Sequence, residues 1–266
     1  MERPAGVDAP TKRARRDSNL TIDLNHGSGF VPGRAGPTAP SLSERINAQI
    51  DGALLEARNA EPRRTYIGAS MLGDPCLRRV AYAWRGVPGA PPEGQTLRIF
   101  ETGHILERLL AEWMERAGFN LLTVDPETGE QFGFTDGPVE GHADGVIVDG
   151  PDLGFDYPIL WEAKSLNDRS WNELVKFGLR ASKEIYYGQV QLYMAYFGFT
   201  DCLFSTLNKN TQETRHELIA FNLGKAQRLF DLAFDVVRGL LPPRIAIAPA
   251  RMCAFCQFNT SCWQES

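Results

Sequence analysis

The sequence predicts a mixed α/β domain leaning towards α+β. Helical periodicity dominates up to Gly118, short β runs take over beyond it, and amphipathic helices return in the C-terminal third. With 43% hydrophobic and 23% charged residues among 266, the chain has apolar material for one large domain or two small ones. Residues 1–40 hold five prolines, five glycines and no periodicity, and read as a disordered arm carrying the basic cluster Lys12, Arg13, Arg15 and Arg16. The folded body is expected over 41–266 as a single domain.

The elements follow in order. From Ser41 the spacing of Ile46, Ile50, Leu54 and Leu55 predicts a helix, with Ser43 as its cap. Asp74-Pro75 announces a second helix, Asp74 capping it and Pro75 in its first turn. A third covers about 98–117, with Ile99, Leu106, Leu109, Leu110, Trp113, Met114 and Ala117 on one stripe. Strands are expected at 120–124, 131–135, 143–148 and 159–165, a helix at 183–198, strands at 202–207 and 215–221, and a last helix at 224–240 that stops at Pro242-Pro243.

Composition excludes several classes. No run approaches 18 apolar residues, so no membrane span is expected, and the N-terminus lacks the apolar core of a secretory leader. Five cysteines, an odd number, do not make a disulfide scaffold. A reducing cytoplasm is the expected compartment, where clustered cysteines hold metal. A net charge of −5 weighs against nucleic acid as a partner, except where an acidic site recruits cations that then meet phosphates.

The segment Gly141–Ser165 carries the chemistry. Two apolar strands flank a Gly/Pro/Asp-rich turn, and antiparallel pairing about it sets Val148 opposite Pro158 or Ile159 and Asp144 opposite Glu162. Glu162 and Lys164, two apart, share one face, while Trp161 and Ala163 point to the other. Two carboxylates and an ammonium together suit phosphodiester hydrolysis, in which acidic oxygens hold a divalent cation and a second cation faces the phosphate. The same residues also suit a cross-strand salt bridge.

Cys253, Cys256 and Cys262 form C-x2-C-x5-C near the C-terminus. Thiolates two residues apart turn readily onto one metal centre, as in zinc and iron–sulfur sites. Cys76 and Cys202 are the candidates for a fourth ligand. Cys202 lies in an apolar strand, whereas Cys76 opens a helix, where backbone N–H groups favour a thiolate.

An Asp before one strand and Glu-x-Lys in the next resemble the PD-(D/E)xK nuclease superfamily, and specifically its RecB/AddB-like iron–sulfur branch, which includes CRISPR-associated exonucleases. His104 in "GHILERLL", Gly141 and Asp144 in "GHADG", and Gln189 and Tyr193 in "QVQLY" match that branch's motifs in order, over about 70–263. The resemblance implies a restriction-endonuclease-like mixed sheet flanked by helices, with a C-terminal metal-cluster clip. It implies Mg²⁺ or Mn²⁺ bound by His104, Asp144, Glu162 and the Ala163 carbonyl, with Lys164, Glu162, Asp144, Gln189 and Tyr193 as the catalytic set. It further implies a 4Fe–4S cluster on Cys76, Cys253, Cys256 and Cys262, a zinc ion being the alternative. The partner it implies is DNA. Arg78 and Arg79 could grip phosphates or merely be solvated. No GxxxxGK[ST] motif occurs, so a stand-alone exonuclease is expected, with a helicase or recombination partner as an accessory. The contrasting readings are a zinc-clipped, non-catalytic nucleic-acid-binding module and an endonuclease of the same fold.

Overall fold

The computed structural model describes residues 39–246 and 251–264. The expected N-terminal arm and its basic cluster, up to residue 38, lie outside the described residues. The chain divides into two units, Met1–Arg58 and Asn59–Ser266. In the first, the described residues lead into helix α1 (Leu42–Ala60), which crosses the division. Its start is a reciprocal capping box, and the cap is Ser41, not Ser43. The Ser41 N–H donates to Glu44 Oε2 at 2.7 Å and the Glu44 N–H to Ser41 Oγ at 3.1 Å.

The second unit runs β1 (Ile67–Gly68), α2 (Ala69–Leu72), α3 (Leu77–Arg85), α4 (Gly94–Arg116), β2 (Asn120–Leu122), β3 (Gly133–Asp136), β4 (Val139–His142), β5 (Gly145–Asp149), β6 (Ile159–Leu166), α5 (Asp168–Ser182), α6 (Glu184–Phe197), β7 (Asp201–Asn208), β8 (Thr214–Ala220), α7 (Leu223–Val237), a 3-10 turn (Arg251–Phe255) and α8 (Asn259–Gln264). One mixed sheet has the order β2-β5-β6-β7-β8, antiparallel throughout except β6/β7. A smaller mixed sheet has the order β1-β4-β3, with β1/β4 parallel. The parallel β6/β7 pair needs a long crossover, and α5 and α6 supply it.

Strand β6 is the axis of the larger sheet and is buried from Ile159 to Ala163. Its alternation feeds two cores. Leu160 joins Leu72, Val190, Leu192, Phe204 and Leu229 on the α6 side, while Trp161 and Ala163 join Leu110, Met114 and Ile147 under α4. Helix α6 is buried from Tyr187 to Met194. It can lie so deep because glycines remove the obstacle. A Cβ on Gly73 would fall 2.6 Å from the Ile185 Cα, and one on Gly188 would fall 3.0 Å from the Gly73 Cα. A mixed sheet with a helical layer on each face is consistent with the restriction-endonuclease-like core expected above.

Several expectations need correction. Helix α3 begins at Leu77 with Cys76 as its N-cap residue, because Asp74 turns back to accept from the Cys76 N–H at 2.8 Å and pairs with Arg79. Ile99, expected on the buried stripe of α4, is 48% exposed, and Leu97 takes its place. The expected run at 143–148 is observed as β5, which begins at Gly145, and β4, in the smaller sheet, was not expected. Helix α5 was not expected at all. Among the described residues no helix is long and apolar enough to cross a membrane.

Candidate active site

Pairing of β5 with β6 sets Gly145 opposite Trp161, Val146 opposite Leu160 and Ile147 opposite Ile159, the expected register. Asp144 is therefore the residue across from Glu162. It leaves the ladder, and its Oδ2 accepts from the Ala163 N–H at 2.8 Å in place of a strand carbonyl. Lys164 Nζ lies 2.6 Å from Glu162 Oε1 and 3.4 Å from Asp144 Oδ2, and it donates to the Ala163 carbonyl at 2.7 Å. Asp144, Glu162, the Ala163 carbonyl and Lys164 thus meet at one point.

Helix α6 closes the site from one side. Gln189 Nε2 donates to Glu162 Oε1 at 2.6 Å and to Tyr193 Oη at 3.0 Å. The role of Gly141 also becomes clear: a Cβ there would fall 2.7 Å from Tyr193 Cε1 and 2.6 Å from Phe134 Cε1. The glycine of the "GHADG" motif leaves room for the tyrosine of the "QVQLY" motif, so two motifs about 50 residues apart interlock.

Helix α4 closes the other side and brings a carboxylate that the sequence reading missed. Glu107 Oε1 is 3.9 Å from Lys164 Nζ. Its three-residue spacing from His104 was the available signal, since both then project from one helix face. His104, Glu107, Arg108, Gln131, Asp144 and Trp161 line an open cavity of about 760 Å³ beside the ammonium.

Electrostatics follow from burial. Glu162 is fully buried, and desolvation, with repulsion from Asp144, outweighs the pull of Lys164 and pushes its carboxyl up to about 8. Burial likewise raises Glu107 and Tyr193. For Lys164, burial works against the charged form, but Glu162, Asp144 and Glu107 outweigh it and hold the ammonium well above its usual range. A raised Glu162 favours the folded chain fully below about pH 4.5, and this contribution is lost as pH rises through about 8. In EDTA, melting temperature should therefore fall from pH 5 to pH 8.5 more steeply for the wild type than for Glu162→Gln; scanning calorimetry across that range reads the difference.

The expected metal cage is not preformed. Among the described residues no three His, Cys, Asp or Glu side chains stand close enough to hold one ion. Asp144, Glu162 and the Ala163 carbonyl are turned towards Lys164, and His104 is exposed on the cavity wall. The donor set nevertheless fits a divalent cation in kind. Two carboxylates and a carbonyl converge on one positive charge, and Glu162 Oε2 is buried with no hydrogen-bond partner.

The cysteines gather elsewhere. Cys76, Cys253, Cys256 and Cys262 are free thiols lining one small cavity, with Arg78, Arg79 and Tyr82 among its other walls. The C-terminal segment is fastened by hydrogen bonds to its backbone carbonyls. The Ala90 N–H donates to the Gln257 carbonyl at 2.8 Å, Arg85 to the Gly239 carbonyl at 2.6 Å and Arg78 to the Pro242 carbonyl at 3.0 Å. Two expectations change here. Arg78 serves this internal fastening, whereas Arg79 pairs locally with Asp74. Burial, with Asp74 and Cys256 adding to it, pushes the Cys76 thiol up and overrides the helix N-terminus. Cys202 is fully buried in β7, as expected of a lone apolar thiol.

No family model matches the sequence, and no curated protein matches it. Solved structures do. SSO0001 aligns over 82% of this chain and 96% of its own at 18% identity, with a TM-score of 0.52. The chain shares that fold. An alkaline exonuclease (LHK-Exo) from Laribacter hongkongensis aligns over 70% of this chain and 91% of its own at 18% identity and a TM-score of 0.47. The same enzyme in complex with dAMP covers 72% and 91% at 16% identity and a TM-score of 0.44.

Proposed function

We propose that the chain is a Mg²⁺- or Mn²⁺-dependent DNA exonuclease. The observation that carries this is the meeting of Asp144, Glu162 and Lys164 beside an open cavity, with one buried Glu162 oxygen lacking any partner. Asp144, Glu162 and the Ala163 carbonyl, with His104 from the cavity wall, would hold the cation. Bound there, the ion would lower the pKa of a water and neutralise the scissile phosphate. Lys164 orients the attacking water and stabilises the extra negative charge on the phosphate oxygens. Gln189 holds Glu162 Oε1 in place and leaves Oε2 to the cation, while Tyr193 fixes Gln189. The substrate on this reading is single-stranded or end-resected DNA, in recombination, repair or viral DNA processing in the cytoplasm, alongside a helicase or recombination partner.

The cysteine cavity on this reading holds a 4Fe–4S cluster. In a cubane each thiolate binds a different iron, and four cysteines around one cavity suit that arrangement, as they do a zinc ion. Purified anaerobically, the protein should be brown with about four irons per chain, and Cys256→Ala should lose them. Colourless protein with one zinc selects the alternative.

End-labelled single- and double-stranded DNA with Mn²⁺ tests the activity. Release of nucleotides from ends, with covalently closed single-stranded circles left intact, is the expected result; cut circles would make it an endonuclease. The Lys164–Glu162 ion pair favours one other reading, a non-catalytic DNA-binding module. That reading requires binding with no products under any divalent cation.

A further inference from the structure

Helix α4 turns two stripes of side chains towards the open cavity beside the site. His104, Glu107 and Ala111 form one of them. Glu101, Ile105, Arg108, Glu112 and Glu115 form the other, four and three residues apart in alternation, and all five are exposed. Carboxylates stand at both ends of this exposed stripe, and its middle is of another kind. Ile105 is an apolar side chain 55% open to solvent, and Arg108 is the only lysine or arginine among the lining residues. Among the described residues Arg108 has neither a hydrogen bond nor an ion pair; Glu112, one turn further on, is taken by Arg116 at 3.1 Å.

An unpaired guanidinium and a bare apolar side chain, three residues apart on one helix face, are together the complement of a nucleotide. The planar fork of an arginine matches a phosphate through two parallel N–H groups, and a branched aliphatic chain packs against a sugar or a base. Five carboxylates line the same cavity, so no other group on its wall carries a fixed positive charge to meet a polyanion. We infer that Arg108 and Ile105 form a subsite for the nucleotide next to the scissile phosphate, with Arg108 binding that nucleotide's own phosphate. This rests on the nuclease reading of Asp144, Glu162 and Lys164. Arg108 stands one helical turn beyond His104, which sets its phosphate beside the one attacked. Glu101 and Glu115 lie seven residues to either side of it, about 10 Å along the axis. A strand laid along α4 would carry its further phosphates onto those carboxylates. The stripe therefore takes one phosphate and turns the rest of the strand off the helix.

The test is fluorescence anisotropy of short single-stranded oligonucleotides on the full chain, in Ca²⁺ and with the strand recovered intact afterwards. Each oligonucleotide carries one uncharged methylphosphonate linkage, moved stepwise from the end. Wild type should lose about tenfold in affinity at one linkage near the end, the scale of one exposed charge-assisted contact. Arg108→Gln should bind the all-phosphate strand about tenfold more weakly and lose nothing further at that linkage. Its slope of log Kd against log salt should fall by about 0.7, the value of one phosphate contact on a single strand. Arg108→Lys should regain the slope and only part of the affinity, because it cannot bind two oxygens side by side. Ile105→Ser should weaken every strand alike by about threefold. Arg108 is exposed, so its variants should melt with the wild type. Identical linkage profiles for wild type and Arg108→Gln would overturn the inference, as would an unchanged salt slope or a wild type that binds no DNA. If the wild type binds these strands but releases no nucleotides in Mn²⁺, the nuclease reading fails, and the linkage profile still decides whether Arg108 holds a phosphate.

Discussion

Lys164→Ala is expected to lower the rate of Mn²⁺-dependent DNA degradation by about 10³-fold at saturating DNA, the scale of removing a group aimed at transition-state charge. The same substitution has a second effect of opposite dependence on metal. Without a cation, Lys164 is the group that neutralises Glu162, which is fully buried, and it also touches Asp144. Leaving those carboxylates unpaired costs up to about 3–5 kcal/mol once Glu162 is ionised, so in EDTA the variant should melt well below wild type at pH 8.5 and by less at pH 5. Added Mn²⁺ replaces the missing positive charge and should restore most of the melting temperature but none of the turnover. Lys164→Met, which keeps the apolar stem, should behave alike. Retained cleavage would remove the lysine from the mechanism; unchanged melting in EDTA would mean that the carboxylates are not held by it.

The β5–β6 hairpin was legible because local chemistry decides it: two apolar runs and a Gly/Pro/Asp turn leave one register, and Gly145 opposite Trp161 follows. Helix α5 was legible only in its first turns. Its buried residues Trp171, Leu174 and Leu179 straddle a break at Gly178, where φ is 72°, and the first free N–H beyond the break, that of Leu179, is taken by Glu217 at 3.1 Å from strand β8. A tertiary partner 38 residues away stabilises that turn, while the Asn167 cap and the Trp171–Leu174 spacing before it were local signals left unread. Strand β4 reads Val-Glu-Gly-His, too polar for a strand signal, and exists because β1 and β3 flank it. Within the site, Asp144, Glu162 and Lys164 could be read from one hairpin. Glu107 could be placed only on the His104 face of α4, because its approach to Lys164 depends on how α4 lies across β6. Cys76 shows the reverse error: helix-start N–H groups are visible in sequence, while the burial that outweighs them is not.

The interlock at Gly141 should make a one-carbon change unusually costly. No left-handed conformation demands glycine there; the space does. A methyl at this position would press on Phe134 and Tyr193, and neither ring can retreat. Phe134 is stacked on Tyr196 with ring centroids 3.7 Å apart, and Tyr193 is buried with its hydroxyl accepting from Gln189. Gly141→Ala should therefore destabilise the chain by about 1–3 kcal/mol, the usual range for overpacking, and Gly141→Val by more. If Tyr193 is what yields, Gln189 follows it, Glu162 loses its 2.6 Å donor, and turnover falls at least about tenfold. Tyr193→Phe separates the two causes, since it breaks the hydrogen bond without crowding the strand. It should cost less stability than Gly141→Ala while still lowering kcat. A Gly141→Ala variant with wild-type melting and turnover would show that β4 can move away from α6, and the explanation of that glycine would be lost.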